Sequence, residues 1–376
     1  MIEKYKEKLA KLTVILFAII FAELICRLFY DKISIQRRLV VELALTTKFQ
    51  AYNELEQQPK ISPSPYTLYK LTPNYKGEYR TNKFGYRGDE FQIEKNQNKV
   101  RILALGGSTT YGASVNDVNK TWPILVQDIL KKKGYDKIEV INGGVESAAS
   151  PEILSSWIYK HRFLNPDIVI LNMGINDIWP ILLTKNFSED YSSFRAAQSF
   201  YRPPDYVKFL LKHSYLLRTI WINIFSGTDT NINGDPYTQS IDSDLIESEL
   251  KDQTVTKRAK NINIVFKNNF EYLIKIIQMD EIKIFVVLEQ SMNLEQMKNK
   301  KSIIVHNIEN PWLIIKNNNE LIMKEISNKY SIKYLKIPDG EFKPEWYTDW
   351  YHTTEEGESL KAKFISDGLV KYKYIN

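Results

Sequence analysis

The hydrophobic and polar positions divide the chain into one long apolar run followed by an alternation of short apolar segments and helical stretches. Leu12–Tyr30 is almost unbroken, with only Glu23 and Arg27 interrupting its 19 residues. As a helix that length rises about 28 Å, close to the hydrocarbon thickness of a bilayer. From Val100 the pattern changes. Val100–Leu105 is a run of branched apolar residues, as expected of a strand buried on both faces. Similar runs follow at Ile138–Ile141, Asp167–Asn172, Ile282–Glu289 and Ile332–Ile337. Helical spacing fills Trp122–Lys133, Pro151–His161, Lys257–Met279 and Pro311–Lys329, and an amphipathic stretch, Glu355–Lys371, closes the chain. This order predicts βαβ units: an α/β three-layer sandwich with a central, mostly parallel sheet. Parallel strands share their carboxyl ends. The loops after the first three strands therefore fall at one sheet edge, where such folds bind ligands.

Three parts follow from this pattern: residues 1–33 as a stub and transmembrane helix, 34–97 as a membrane-proximal linker and lead-in, and 98–376 as the alternating domain. Ser34–Leu55 reads as a continuing helix and Gln57–Pro65 as a polar linker. Tyr66–Phe91 carries turn signals, and its Thr81–Gly88 phrase is expected either beside the site or as packed lead-in. Residues 180–256 break the rhythm and read as an insertion. Its apolar segment Tyr206–Phe225 is interrupted by Lys208, Lys212, His213 and Arg218, which favours a packed helix over membrane contact.

Composition adds limits. The chain has 376 residues, 51 basic against 45 acidic, interspersed along its length. No basic stripe with interleaved aromatics appears, so nucleic acid is not an expected partner. The single cysteine, Cys26, excludes an intramolecular disulfide framework. Lys4, Lys6, Lys8 and Lys11 before the apolar run favour a cytoplasmic N-terminus, although Arg27, Lys32, Arg37 and Arg38 weaken the asymmetry. The expectation is a single-pass membrane protein with the alternating domain outside the cytoplasm. A cleaved signal is the alternative, but no small-residue cleavage site follows the run. Lipoprotein processing at Cys26 would need small residues where Leu24 and Ile25 stand. Glu23 and Arg27, four apart, are expected to pair.

The chemistry concentrates at strand ends. Gly106 and Gly107 follow the first strand and leave room for a substrate to reach Ser108. A structural or phosphate-binding turn is the competing reading of that stretch. His161, His213 and His306 fall in helical or apolar surroundings that suit packing or surface roles, whereas His352 lies in a loop three residues after Asp349. That spacing lets the carboxylate orient one imidazole nitrogen while the other faces a nucleophile.

Four blocks in order resemble the SGNH/GDSL hydrolase superfamily: Gly106-Gly107-Ser108-Thr109-Thr110-Tyr111-Gly112, Asn142-Gly143-Gly144-Val145, Gly174-Ile175-Asn176-Asp177 and Asp349-Trp350-Tyr351-His352. The likeness spans roughly residues 97–372. Gly107 and Thr109 depart from the Asp and Leu of the family's namesake motif, a Gly-Gly-Ser-Thr-Thr form similar to that of membrane-anchored members. The resemblance implies a flavodoxin-like fold and a serine esterase. Ser108 would be the nucleophile, His352 the base and Asp349 its partner. The oxyanion hole would be formed by Ser108, Gly144 and Asn176. Asp177 is expected only to cap the helix that follows it. No cofactor or metal is implied. The expected substrate is an ester, with O-acetyl groups of extracytoplasmic carbohydrate as the guess. An acyltransferase using the same triad, or a non-catalytic glycan-binding or assembly protein, are the alternatives.

Overall fold

Side-chain alternation explains the central sheet. Leu103, Leu105, Val169, Leu171, Ile284 and Val286 pack into one buried cluster; Ile102, Ala104, Ile168, Ile170, Phe285 and Val287 pack into another. Period-two projection thus feeds two cores, one on each face. The computed structural model describes residues 2–33, 37, 38, 41, 45, 60–64, 66–183, 188, 190, 191, 194, 195, 204–225, 248–251, 253–300 and 308–375. These form two compact units, Met1–Pro59 with Arg195–Ser240, and Lys60–Phe194 with Ile241–Asn376.

The described strands are β1 (Ile61–Ser64), β2 (Leu68–Leu71), β3 (Val100–Gly106), β4 (Ile138–Asn142), β5 (Ile168–Asn172), β6 (Lys283–Val287) and β7 (Lys333–Leu335). The described α-helices are α1 (Ile2–Phe29), α2 (Ser108–Tyr111), α3 (Trp122–Lys132), α4 (Ser150–Tyr159), α5 (Trp179–Leu183), α6 (Asp205–His213), α7 (Tyr215–Phe225), α8 (Thr254–Ala259), α9 (Ile264–Met279), α10 (Leu294–Asn299), α11 (Glu309–Lys329) and α12 (Glu355–Lys371).

In the larger unit β1 and β2 pair antiparallel, and the main sheet runs β4–β3–β5–β6–β7, every pair parallel. Trp122, Val126 and Leu130 of α3 join Ala362, Ile365 and Leu369 of α12 on one face. Trp157 of α4, Phe266, Phe270 and Ile274 of α9 and Ile322 and Met323 of α11 cover the other. This is the expected α/β sandwich. The strand order reverses at β3, which places the crevice at the carboxyl end of that strand.

Some boundaries differ from the sequence reading. The long helix expected over Lys257–Met279 is two helices, because Asn263 caps α9 by accepting from the Phe266 N–H. The expected strand through Glu289 stops at Val287, which frees Glu289 to turn toward the site. Residues 60–97 belong to the same compact unit as the sheet.

The smaller unit contains α1, α6 and α7. Lys4–Lys32 is long and apolar enough to cross a membrane, with mean hydropathy 2.4 in its best window. Glu23 pairs with Arg27 at 3.2 Å, as expected, and also accepts from Ser214 Oγ and the N–H groups of Tyr215 and Leu216 at 2.8–2.9 Å. It therefore caps α7 from another helix. The segment read as one apolar stretch breaks at Ser214. Ile222 of α7 is buried with Tyr30 and Val41, while Tyr206, Phe209, Ile220 and Ile224 are exposed. The linker residues 57–59, nearly all of the 34–55 stretch and the polar stretch 226–242 lie outside the described residues.

Candidate active site

Ser108 is the first residue of α2, directly after β3 and the two glycines. A Cβ on Gly106 would lie 2.0 Å from the Asn172 carbonyl oxygen and 2.2 Å from Thr110 Oγ1, so only glycine lets β3 turn this tightly beside β5. As the first helical residue, Ser108 has no intrahelical acceptor for its N–H. The hydroxyl sits 2.7 Å from His352 Nε2. His352 Nδ1 lies 2.6 Å from Asp349 Oδ2. The other carboxylate oxygen, Oδ1, accepts from the N–H groups of Tyr351 and His352 at 2.9 and 2.8 Å.

The two residues between Asp349 and His352 fix this loop. The Trp350 indole donates to the Lys300 carbonyl, and its ring meets Trp312 of α11 edge-on at 5.9 Å. Tyr351 stacks on the same Trp312 at 5.7 Å. The aromatic pair thus anchors the loop to the α11 side while His352 faces Ser108. Burial alone would raise the Asp349 carboxyl. The hydrogen bond and charge of His352, with the two N–H donors, outweigh it and hold the group below its ordinary value. A carboxylate held ionised can stabilise an imidazolium formed when His352 takes the Ser108 proton.

Asn176 follows β5, and its amide donates to the Ala148 carbonyl at 2.9 Å. A Cβ built on Gly107 would fall 2.3 Å from that amide nitrogen, so the carboxamide lies against the residue preceding Ser108. An amide carries two N–H donors, of which the Ala148 carbonyl takes one. Gly144 is placed differently. Its N–H donates to Asn142 Oδ1 at 3.0 Å, and a Cβ there would meet the Tyr111 nitrogen at 2.3 Å. The glycine allows a close backbone approach beneath α2. The part of this loop that approaches Gly107 lies further on: Ala148 oxygen would be 3.3 Å from a Gly107 Cβ. It follows Ser147, whose φ of 58° turns the chain there. A serine does not announce a left-handed residue, so the sequence gives little sign of this turn.

Asp177 does not cap the helix after it. Its carboxylate accepts from the Ser150 hydroxyl at 2.6 Å and from the Ser150 N–H, across the fold at the start of α4. Two further residues support the site and lack any local motif. Glu289, just past β6, accepts from Thr109 Oγ1 at 2.7 Å, while Lys361 of α12 lies 3.9 Å from its other oxygen and donates to Asn172 Oδ1 at 2.6 Å. Thr109, where the family's motif has leucine, is therefore a buried donor. Arg87, in the Thr81–Gly88 phrase, is 1% exposed and donates to the carbonyls of Tyr111, Gly112, Val115 and Asn116. The phrase is packed lead-in that holds the segment after α2. Of the other histidines, His161 is buried against Tyr86, His213 lies tilted against Phe209, and His306 lies outside the described residues.

The sequence matches no protein-family model and no curated protein. Solved structures to which the chain is similar include an acetyl xylan esterase, AlAXEase, at 13% identity over 72% of this chain and 100% of that one, TM-score 0.41. A lipase/acylhydrolase from Enterococcus faecalis is 14% identical over 72% and 95% of the two chains, TM-score 0.41. A GDSL-like lipase from Bacteroides thetaiotaomicron is 13% identical over 75% and 93%, TM-score 0.39.

Proposed function

We propose that this chain is a membrane-anchored serine esterase of the SGNH/GDSL type. The observation that carries the reading is the continuous Asp349–His352–Ser108 relay, with links of 2.6 and 2.7 Å at the carboxyl edge of a parallel sheet. In this reading Ser108 Oγ attacks an ester carbonyl as His352 takes its proton. Charge developing on the carbonyl oxygen is met by the Ser108 N–H and the Asn176 amide. His352 returns the proton to the departing alcohol, and water resolves the acyl-enzyme by the same relay. Ser108 and Asn176 are only 7% and 9% exposed, which supports a small acyl group such as acetyl. We infer an O-acetylated carbohydrate outside the cytoplasm as the substrate, with α1 as the anchor.

The test is labelling and turnover. A fluorophosphonate probe should modify Ser108 in the full-length protein in detergent, and Ser108→Ala should abolish hydrolysis of nitrophenyl acetate without loss of folding. Labelling at a different serine, or turnover by the variant, would refute the assignment. Acyl transfer to added sugar in preference to water would select the transferase reading.

A further inference from the structure

A second cavity, of about 280 Å³, lies on the α4 side of the sheet, bounded by the β1–β2 hairpin and α4. Leu105 and Gly106 contribute to its wall, but Ser108, Asn176 and His352 do not. Lys70 of β2 and Lys160, just after α4, both line it. Lys160 donates to the Gly85 carbonyl at 3.3 Å and stands 4.0 Å from the Tyr86 ring centroid, so both of these partners are uncharged. Glu152 is the acid in the lining, and its carboxylate is engaged by the Ala149 N–H at 2.9 Å. His161, 1% exposed, also lines the cavity. Its Nδ1 meets the Tyr86 hydroxyl at 2.9 Å, while Nε2 has no hydrogen-bond partner.

Two half-buried cations side by side are costly unless an acceptor with negative charge meets them. Burial, and then repulsion from Lys70, pushes the Lys160 ammonium down to about 7. Burial lowers Lys70 as well, and burial with the Lys160 charge holds His161 neutral. At the rim, Tyr66 and Tyr159 stack on each other at 4.3 Å and are 62% and 53% exposed. Exposed aromatic rings beside a pocket that holds two lysines suit the apolar face of a small organic ligand such as a sugar.

We propose that this cavity binds a small oxyanion, a carboxylate or phosphate group, on a ligand whose neutral part rests against Tyr66 and Tyr159. The anion would sit between Lys70 and Lys160, beside the buried His161. The proposal is independent of the esterase reading, because binding is measured without turnover.

Binding should draw a proton onto Lys160. The titratable groups around it are Lys70 and Tyr69 of β2, Tyr66 before that strand, Tyr86, and Glu152, Tyr159 and His161 of its own segment. Of these, Lys160 is the group whose charge rises as pH falls through 7.

The experiment is calorimetric titration of the full-length protein in detergent with glucuronate, glucose 6-phosphate, inorganic phosphate and glucose, at pH 6 and pH 8. At least one anion should saturate at one site per chain, and glucose should not bind. Affinity should fall several-fold from pH 6 to pH 8. Lys160→Met should weaken binding at least roughly tenfold and flatten that pH dependence. Lys70→Met, at a half-buried position that tolerates the change, should weaken it independently. Tighter glucuronate identifies a carboxylate ligand; tighter glucose 6-phosphate identifies a phosphate ligand. The proposal is overturned if no anion saturates, if glucose binds as well as the anions, or if Lys70→Met binds like the wild type.

Discussion

The carboxamide of Asn176 lies so close to Gly107 that a Cβ on the glycine would stand 2.3 Å from Nδ2. Gly107 has φ −87°, which any residue adopts, so the glycine is required by contact and not by backbone strain. Gly107→Ala should therefore displace the amide while leaving the relay in place. We expect kcat on a short-chain nitrophenyl ester to fall by about one to two orders of magnitude, with Tm little changed. Steady-state kinetics paired with thermal unfolding separate this from a folding defect.

Asn176→Ala should remove the amide outright. Because developing charge strengthens its bond in the transition state, kcat should fall by roughly two to three orders of magnitude and KM far less. In the Gly107→Ala background the same change should cost much less, since the two act on one group. Additive losses in this double-mutant cycle would separate Gly107 from the oxyanion site.

What the sequence disclosed was whatever local chemistry announces. The β3 run, the two glycines before Ser108 and the Asp349–His352 spacing are contiguous signals, and each lies where the pattern places it. Glu289 and Arg87 act on the nucleophile segment from 180 and 25 residues away in sequence. No spacing rule reaches them, and Glu289 reads as the tail of an apolar strand. At Gly144 the residue type alone does not show the close approach to the Thr110–Tyr111 backbone, which belongs to a different strand's loop. Asp177 sits where a local cap is expected, yet its partner Ser150 comes from another loop.

Arg87 should matter for stability more than for chemistry. Its guanidinium serves four carbonyls at the end of α2 and just beyond it, three of them, on Tyr111, Gly112 and Val115, in buried surroundings. Arg87→Met leaves those acceptors without their donor, at a cost of about 3 kcal/mol or more. Arg87→Lys should recover little, since one ammonium cannot reproduce the planar fork. Chemical denaturation of the three proteins provides the comparison.

Asp177 predicts a pH-dependent stability difference. Burial raises its carboxyl to about 6, from an ordinary 3.8, against the lowering effect of the Ser150 bonds. The folded state then holds more protons than the unfolded state between about pH 4 and pH 6, so this group's contribution to stability falls as pH rises through that window. Asp177→Asn abolishes the titration. The wild-type minus variant difference in unfolding free energy should decline by on the order of 2–3 kcal/mol from pH 4 to pH 6.5 and level off above. The variant should retain most of its kcat, unlike Asn176→Ala. A flat difference would show that Asp177 stays ionised throughout.

Topology provides the last test. Lys4, Lys6, Lys8 and Lys11 stand at the start of α1, and an apolar helix follows that is long enough to span a bilayer. Translocating four cations is unfavourable, so they should stay on the cytoplasmic side and send the following chain across. Protease added to intact spheroplasts should then digest the α/β domain and leave a membrane-held fragment of a few kilodaltons. An N-terminal tag should remain protected until the membrane is broken. Mass spectrometry of the untreated protein should find an uncleaved N-terminus. A domain protected in intact spheroplasts would reverse the orientation. A mature protein beginning beyond Phe29 would instead make α1 a cleaved signal, leaving the domain free of its anchor.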